Sequence, residues 1–568
     1  MTSVGIDFGT TNSVVSTFDN TGSTHVLDID NPPDLEWRAA GFSRVFPSVY
    51  ALGTNREALF GWEAKLRGRH KFEAVKRLFA TDDIVEVGGE TALVDEVAAL
   101  LFGRLRQGAR DQGVDFSRAV VTIPANSRGR ARYRTKLCAG LAGIEVAALI
   151  NEPTAAAMAF GLRGIDDQRI LVVDWGGGTL DVTLLEVTGG IFVEHSSSGI
   201  QVLGGRDFDR ELRSRLSADA PDRDSWDEGQ KRRFDLDVEF AKIRLSSLDD
   251  WSVPFPEGHR RDLSRRKFEE WMRPLVERVR EPINQCLRDA GMTSTSIDHL
   301  LLVGGTCMMP LVRGFVSELV GREPARGAEP LTAIAEGAAV AAAILEGRYD
   351  ADYFVSTEHA LGTVAVDANG RPAFATLIPR NHKLPARKTE EFVPVRDFQE
   401  SILIEVIEGD PDKPLDHEDN VRLREWVVPL IPRPQVETKI ALTYQYDTDG
   451  IIHVEAMDTV SGQSLVASEI SFIDGRDQRE LVQIASGVTS VLAAAASSAE
   501  APQVAIPSDV QIMLDRARIK VIPFVPDEDA VTLEALAVAL EGAAASNAEY
   551  RSEFDALDQA LRKYAYLY

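Results

Sequence analysis

Apolar and β-branched residues run through Leu171, Val172 and Val173, stop at Asp174-Trp175-Gly176-Gly177-Gly178-Thr179, and resume from Leu180 to Leu185. This pattern predicts strand, tight glycine turn, strand. The N-terminus repeats the design: Val4-Gly5-Ile6 leads into Asp7-Phe8-Gly9-Thr10-Thr11-Asn12, and Ser13-Val14-Val15-Ser16 leaves it. In both copies a strand delivers an Asp, an aromatic residue, glycine and then threonine. Such an internal repeat implies two similar lobes.

Elsewhere the apolar spacing predicts a helix over 91–107, a strand from Ala119 to Ile123 ending at Pro124, and a strand from Ala147 to Ile150. A helix of small residues, Asn151 to Gly161, follows, with Pro153 in its first turn and Gly161 at its C-cap. Helical spacing from Phe234 to Ser247 puts Glu239, Lys242 and Ser246 on one face. Phe268, Leu275, Val279, Ile283 and Leu287 predict one long core helix closed by Gly291. Leu300 to Val303 is again a strand running into glycines, Gly304 and Gly305. Composition shifts at about Gly347. Residues 348–360 read as an extended linker and 361–475 as alternating, β-rich chain with a hairpin turn at Asp447-Thr448-Asp449-Gly450. Residues 476–568 read as helical, interrupted from Ser497 to Pro507 and ending in an amphipathic segment from Asn547 to Tyr566. A domain of 1–347, a linker of 348–360, an all-β domain of 361–475 and a small helical domain of 476–568 are expected.

Length agrees with several units, since 568 residues are too many for one core. With 44% hydrophobic and 26% charged residues the chain is ordinary globular protein. The excess of 88 acidic over 62 basic residues, net charge −26, argues against nucleic acid or an anionic membrane as main partner. Cys138, Cys286 and Cys307 lack metal-ligand spacing and read as buried thiols in a reducing compartment. The first strand starts near Val4, which leaves no room for a leader, and the longest alanine-rich run, Ala338 to Leu345, is too short to span a bilayer. A cytoplasmic protein is expected.

The glycine turns carry the candidate chemistry. Consecutive glycines expose backbone N–H groups that wrap a phosphate. Asp174 and Asp181, at the ends of one turn, and Asp7, in the other, would repel that phosphate unless a divalent cation sat between them. A nucleotide with Mg²⁺ between two hairpins is the reading. A Walker A loop differs, because it carries Gly-Lys-Ser/Thr and enters a helix. Glu152, where a strand gives way to a helix, is placed to face the cleft. On its own, Lys76-Arg77 reads as a solvated pair, and Arg128, Arg130, Arg132 and Arg134 as a solvated face or a contact to another domain.

Together with Leu203-Gly204-Gly205-Arg206-Asp207-Phe208-Asp209 and Asp449-Gly450-Ile451-Ile452-His453-Val454, these motifs resemble the DnaK-type seventy-kilodalton heat-shock chaperone family in order and spacing along nearly the whole chain. The resemblance implies a multidomain protein: an α/β actin-like (ribonuclease H-like) ATPase domain of two lobes, an interdomain linker, an all-β peptide-binding sandwich and a small α-helical lid. It implies ATP or ADP with Mg²⁺ as cofactors, with K⁺ a further candidate. By position, Asp7 and Asp174 would hold Mg²⁺ through its water shell, and Gly9, Thr10, Thr11, Asn12, Gly176, Gly177, Gly178 and Thr179 would cradle phosphates. Lys76 would be the catalytic lysine, with Glu152, Thr179 and Asp181 orienting metal, water and phosphate. Glu239, Lys242, Ser246, Gly304, Gly305 and Met308 would line the adenosine pocket. Pro124 and Arg132 would relay between the ATP site and the peptide domain. Phe392, Val395, Ile402 and Ile404 would line a peptide pocket, although each also fits a sandwich core. The implied partners are extended or unfolded polypeptides, a J-domain co-chaperone and a nucleotide exchange factor, with no nucleic acid and no membrane.

This chain departs from the family pattern. Met308 stands where an arginine usually stacks on adenine, Leu331 replaces an acid near the monovalent-ion position, and Trp175 replaces a smaller residue. The span from Lys76 to Pro124, the linker and the lid all look abbreviated, as in a short, specialised member. An ATP-driven peptide-binding chaperone is the primary reading. A slow or non-hydrolysing nucleotide-dependent scaffold and a small-molecule kinase on the same fold are the alternatives, with an actin-like filament weaker.

Overall fold

Each of the two glycine hairpins lies inside a mixed sheet, and the two sheets share one plan. In the first, β1 (Ser3–Asp7) pairs antiparallel with β2 (Asn12–Phe18), which pairs with β3 (Thr24–Val26). On the other side of β1 lie β4 (Arg118–Ile123) and β5 (Glu145–Asn151), both parallel, so the order is β5-β4-β1-β2-β3. In the second, β6 (Gln168–Trp175), β7 (Leu180–Thr188) and β8 (Ile191–Ile200) form an antiparallel meander, and β9 (His299–Val303) lies parallel to β6. Side chains of β6 alternate between two cores. Leu171, Val173 and Trp175 face one, and Ile170 and Val172 the other, which is why the strand reads as a continuous apolar run. The computed structural model describes residues 2–32, 35–87, 89–161, 168–218, 226–357, 359–367, 370–469, 478–499, 506–546 and 549–568.

The first lobe carries α1 (Gly61–Arg67), α2 (Val75–Leu78), α3 (Val94–Asp111), α4 (Gly129–Leu141) and α5 (Glu152–Gly161). The second carries α6 (Gly205–Ser217), α7 (Glu228–Leu245), α8 (Arg265–Glu277) and α9 (Arg280–Asp289), and α10 (Ala333–Leu345), which follows it in the chain, packs back against β1, β2 and α5 of the first lobe. Small residues let α5 and α10 pack backbone to backbone: a Cβ added at Gly337 would sit 1.6 Å from the Ala155 carbonyl oxygen. One expectation fails here. The single helix predicted across Phe268 to Leu287 is two, α8 and α9. Pro274 removes a backbone donor, and at Arg278 and Val279, still in the helical region, the α-helical bonds give way to tighter ones from Arg278 to Leu275 and from Val279 to Val276. The apolar stripe itself is core.

Within the expected linker, β10 (Asp352–Phe354) adds to the second sheet parallel to β8, giving β9-β6-β7-β8-β10. Eight strands follow: β11 (Ala360–Val366), β12 (Pro372–Ile378), β13 (Ala386–Phe392), β14 (Ser401–Gly409), β15 (Val421–Pro429), β16 (Ile440–Tyr446), β17 (Ile452–Asp458) and β18 (Gln463–Glu469). They form two antiparallel sheets, β12-β11-β14-β15 and β13-β16-β17-β18, with Val406, Leu442, Tyr444, Val454 and Ala456 between them.

Beyond the sandwich, α11 (Gln478–Ala499) lies along the first lobe. Val488 enters the core beside α3, and Leu492 covers Gly103. α12 (Ser508–Asp515) runs on through irregular helical turns to Phe524, and α13 (Asp527–Ala545) and α14 (Arg551–Leu561) complete a small bundle around Leu514, Leu533, Leu540 and Leu557. The interruption expected from Ser497 to Pro507 falls mostly outside the described residues, as does Asn547. Among the described residues no helix is long and apolar enough to cross a membrane.

Candidate functional site

Between the two sheets lies a cleft of about 720 Å³, with the two hairpin turns facing each other at its base. A Cβ on Gly177 would sit 1.9 Å from Thr11 Oγ1, and one on Gly178 2.5 Å from Thr10 Oγ1. Only glycine allows the loops to approach so closely. Asp7, Gly9, Thr10, Thr11, Asn12, Lys76, Pro124, Glu152, Asp174, Gly176, Gly177, Gly178, Thr179, Glu239, Lys242, Ser246, Gly304, Gly305 and Met308 all line this cleft. Asp181 does not. It faces Asp174 across the hairpin, fully buried, and accepts the Asn126 backbone N–H at 3.0 Å.

Lys76 sits on the one-turn helix α2, which follows Ala74 in the left-handed region at φ 56°. The Lys76 ammonium pairs with Glu152 at 2.5 Å, both side chains buried. The neighbouring Arg77 crosses to the other lobe and donates to the Gly178 carbonyl at 2.5 Å and to Asp207 at 2.8 Å. This pair, which reads as solvated from sequence, is thus drawn into the cleft.

One lysine stands among four carboxylates. Burial, then Glu152, lifts Asp7 to about 7, while Lys76 and Thr122 oppose the rise. Burial and Glu152 likewise lift Asp181 to about 7. Asp174 is raised well above the carboxylate range by burial, by Glu152 and by Asp181. Such an excess of buried negative charge suits a divalent cation. Among the described residues no three His, Cys, Asp or Glu side chains converge at metal-ligand distance. Asp7 and Asp174 would hold a cation through its water shell, as Mg²⁺ is usually held. Thr11 Oγ1 is buried without a protein partner, which fits the same cradle. The residues present fit Mg²⁺ with a polyphosphate.

On the upper wall Glu239 pairs across the cleft with Lys65 at 2.6 Å. Lys242 bonds the Gly205 carbonyl at 3.0 Å and Asp209 at 2.7 Å, and Ser246 Oγ bonds the Lys242 carbonyl at 3.2 Å. Met308 and Leu331 line the cleft from the second lobe. Trp175 points away: its indole N–H bonds the Leu203 carbonyl at 3.0 Å and its ring meets Phe208 edge-on at 5.6 Å.

Asp181, through Asn126, holds the segment Pro124 to Ser127, from which hydrogen bonds lead away from the cleft. Pro124 lines the cleft, and its carbonyl accepts from Ser127; the Ser127 carbonyl accepts from buried Arg132 at 3.0 Å. Arg132 reaches Asn151 at 3.1 Å, Asn151 donates to Glu194 at 3.1 Å, and Glu194 accepts Ser356 Oγ, on the linker, at 3.0 Å. The β-sandwich is seated on this path. Asp449 pairs with Lys136 at 2.5 Å and accepts the Leu149 N–H at 3.0 Å, while Glu408 accepts the Gly129 N–H at 3.1 Å and the Tyr446 hydroxyl at 2.9 Å. Sequence reasoning missed Asn126, Glu194, Glu408 and Asp449. A signal existed for the last. Asp447 alone caps its turn, accepting from Asp449 N–H and Ile451 N–H, so the second acid in Asp447-Thr448-Asp449-Gly450 was free for another task.

The four residues expected at the peptide pocket separate by burial. Ile404, on β14, is 4% exposed in the sandwich core, whereas Phe392 and Ile402 are half-buried against it. Val395, in the loop between β13 and β14, is 66% exposed.

Known proteins agree with this arrangement. Residues 73–566 match the family model described as Hsp70 protein. A chaperone protein DnaK from Thermotoga neapolitana is 35% identical over 84% of this chain and 82% of its own length. Chaperone protein DnaK from Thermotoga petrophila is 36% identical over 82% of this chain and 80% of its own, and that from Thermosipho africanus 34% identical over 82% and 79%. The kinase and scaffold alternatives are not favoured. Similarity of this extent, with paired glycine hairpins around a carboxylate-rich cleft, means that the chain belongs to the Hsp70 family, whose members are ATP-hydrolysing chaperones.

Proposed function

We propose that this chain is a cytoplasmic ATPase with an actin-like nucleotide domain, and that it uses ATP to control the grip of its β-sandwich on extended apolar segments of unfolded polypeptides. The observation that carries the reading is the path from Asp181, through the Asn126–Ser127 backbone, Arg132, Asn151 and Glu194, to a linker and a sandwich docked on the nucleotide domain. Bound Mg–ATP supplies the electrophilic phosphorus and a cation that neutralises its oxygens. Thr10, Thr11 and the backbone N–H groups of Gly176 to Thr179 would hold the phosphates, and Asp7 and Asp174 would hold the cation through its water shell. Lys76, steered by Glu152, provides positive charge on the side from which water attacks. Thr179 and Asp181 fix the second hairpin. Glu239, Lys242, Ser246, Gly304, Gly305 and Met308 hold the nucleoside, with Met308 packing on the base without adding charge.

In this reading the docked sandwich is the open-handed, ATP-favoured arrangement, and hydrolysis releases it to close on peptide. Phe392, Val395 and Ile402 meet the peptide side chains. A J-domain partner would stimulate hydrolysis. The test is single-turnover ATP hydrolysis with Mg²⁺, with and without a short apolar peptide, on the wild type and on Lys76→Ala. Peptide should accelerate the wild type, and Lys76→Ala should slow hydrolysis by about 10²- to 10³-fold. ATP that binds but is not turned over, with peptide affinity indifferent to nucleotide, would overturn the reading.

A further inference from the structure

Among the described residues the C-terminal bundle packs on the nucleotide domain rather than on the β-sandwich. It lies over the outer end of the cleft and touches both lobes. From the first lobe, Arg69, which is 7% exposed, donates to the Ile522 carbonyl at 2.7 Å and the Val525 carbonyl at 2.8 Å, and pairs with Asp527. From the second, Arg232 on α7 donates to the Pro523 carbonyl at 3.1 Å, and the Arg233 guanidinium lies 5.4 Å from the centre of the Phe524 ring. Pro523 and Pro526 stop the helical run from Ser508, leaving its last carbonyls without intrahelical donors. Two arginines from opposite lobes satisfy them, at the end of a helix where cations are favoured. Ile519 adds an apolar tooth to a cluster that already joins Trp37 and Trp62 of the first lobe to Phe240 of α7.

Without the bundle these contacts would work the other way. Arg69 and Arg232 face each other closely enough that the Arg69 charge, after burial, helps to hold Arg232 below the usual arginine range. Both line the cleft. Bare, they would repel each other across its mouth. Clipped to one row of carbonyls, they hold the lobes together above the Lys65–Glu239 pair.

We propose that α12 to α14 form a latch across the cleft mouth, which must leave one lobe before the cleft can open and release its ligand. This rests on the reading that the cleft takes nucleotide. Any partner that opens the cleft would first have to displace the latch.

Gly229 gives a clean lever. A Cβ there would sit 1.9 Å from the Phe524 carbonyl oxygen, and alanine is the better helix residue, so Gly229→Ala should eject the latch without weakening α7. Asp527→Arg, opposite Arg69, is the second lever. The readout is stopped-flow release of N-methylanthraniloyl-ADP from the full chain, chased with excess ATP. Each variant should release it about tenfold faster than wild type, within the usual range of coupling between sites. Hydrogen exchange over residues 519–527 of the wild type should rise when nucleotide is removed. Unchanged protection there, or wild-type release rates in both variants, overturns the latch. A wild type that binds no fluorescent ADP at all overturns the nucleotide reading instead, and is told apart from a failed latch by the absence of any bound probe.

Discussion

Buried charge is handled in opposite ways at the cleft and at the seat of the β-sandwich. At the base of the cleft Asp7, Glu152 and Asp174, with Asp181 buried behind the hairpin, gather around Lys76, which pairs with Glu152, and the three aspartates are pushed far up the pH scale. At the seat each buried acid has protein donors: Asp449 has Lys136 and the Leu149 N–H, Glu194 has Asn151, Thr154 and Ser356, and Glu408 has the Gly129 N–H and Tyr446. The cleft is incomplete without a ligand, and the seat is complete only when docked. A balanced buried network specifies one arrangement, and an unbalanced one reports on what is missing.

The sharpest way to break this contrast is to remove one charge from the unbalanced side. Asp174→Asn relieves repulsion in the nucleotide-free cleft, so the empty variant should unfold at a higher temperature than wild type. The same change removes a carboxylate for the cation, and Mg²⁺-dependent hydrolysis should fall by about 10²- to 10³-fold. Thermal melts with and without Mg–ATP, beside single-turnover rates, check both halves. A variant that is destabilised when empty would show that Asp174 is satisfied within the protein.

Removing a charge from the balanced side should do the reverse. Asp449→Ala removes the carboxylate that Lys136 and the Leu149 N–H bond, and it alters the turn that covers Arg132, where a Cβ on Gly450 would lie only 3.0 Å from its side chain. A loss on the order of 3 kcal/mol in docking, about a hundredfold in the equilibrium, is expected. The sandwich itself should stay folded, because both lost partners of the carboxylate belong to the nucleotide domain. Small-angle scattering in ATP would show an extended variant beside a compact wild type.

A similar division runs through the apolar residues of the sandwich. Ile404→Ala should cost about 2–4 kcal/mol of stability in the sandwich by leaving a cavity. Val395→Ala, at an exposed position, should change stability by less than about 0.5 kcal/mol and act on peptide affinity instead. Denaturant melts and fluorescent-peptide titrations separate the two effects. An unchanged peptide affinity for Val395→Ala would move the pocket elsewhere on the sandwich.

What could be read beforehand follows the same line between local and distant causes. The hairpins were legible because three glycines between two apolar strands are a local signal, and so were the strands before Pro124 and Glu152 and the helix after Glu152. Lys76 looked like half of a solvated pair, since its partner Glu152 lies 76 residues on and nothing near it in the chain announces burial. In the run Arg128, Arg130, Arg132, Arg134, the charges looked alike, yet Arg132 meets the sandwich and Arg134 is locked to Asp95 at 2.7 Å on α3. Alternate positions on a helix point to different sides, and the sequence does not say what lies on each. The break between α8 and α9 was marked by Pro274 but masked by an unbroken apolar stripe. Arg69 gave no signal at all, because the carbonyls it holds belong to residues 522 and 525, at the other end of the chain.

The smallest effect tests whether the seat is as balanced as it looks. His359, at the start of the sandwich, bonds the Asn126 carbonyl at 3.3 Å and is flanked by Glu408, Arg128 and Asp419. Burial holds its pKa below the usual histidine value; Glu408 pulls upward and Arg128 pushes further down. The docked state therefore binds fewer protons than the undocked one, in which His359 titrates near 6.5. Docking keeps its full strength above that pH and weakens as pH falls through it, levelling off below the lowered docked value. Protease cleavage of the linker, followed from pH 8 to 5.5 in saturating ATP, should accelerate toward acid in wild type and do so less steeply in His359→Gln, which retains a donor for the Asn126 carbonyl. Identical profiles would mean that the Glu408 carboxylate fully compensates the protonated ring, and that the balance at the seat extends to a charge the folded protein does not ordinarily carry.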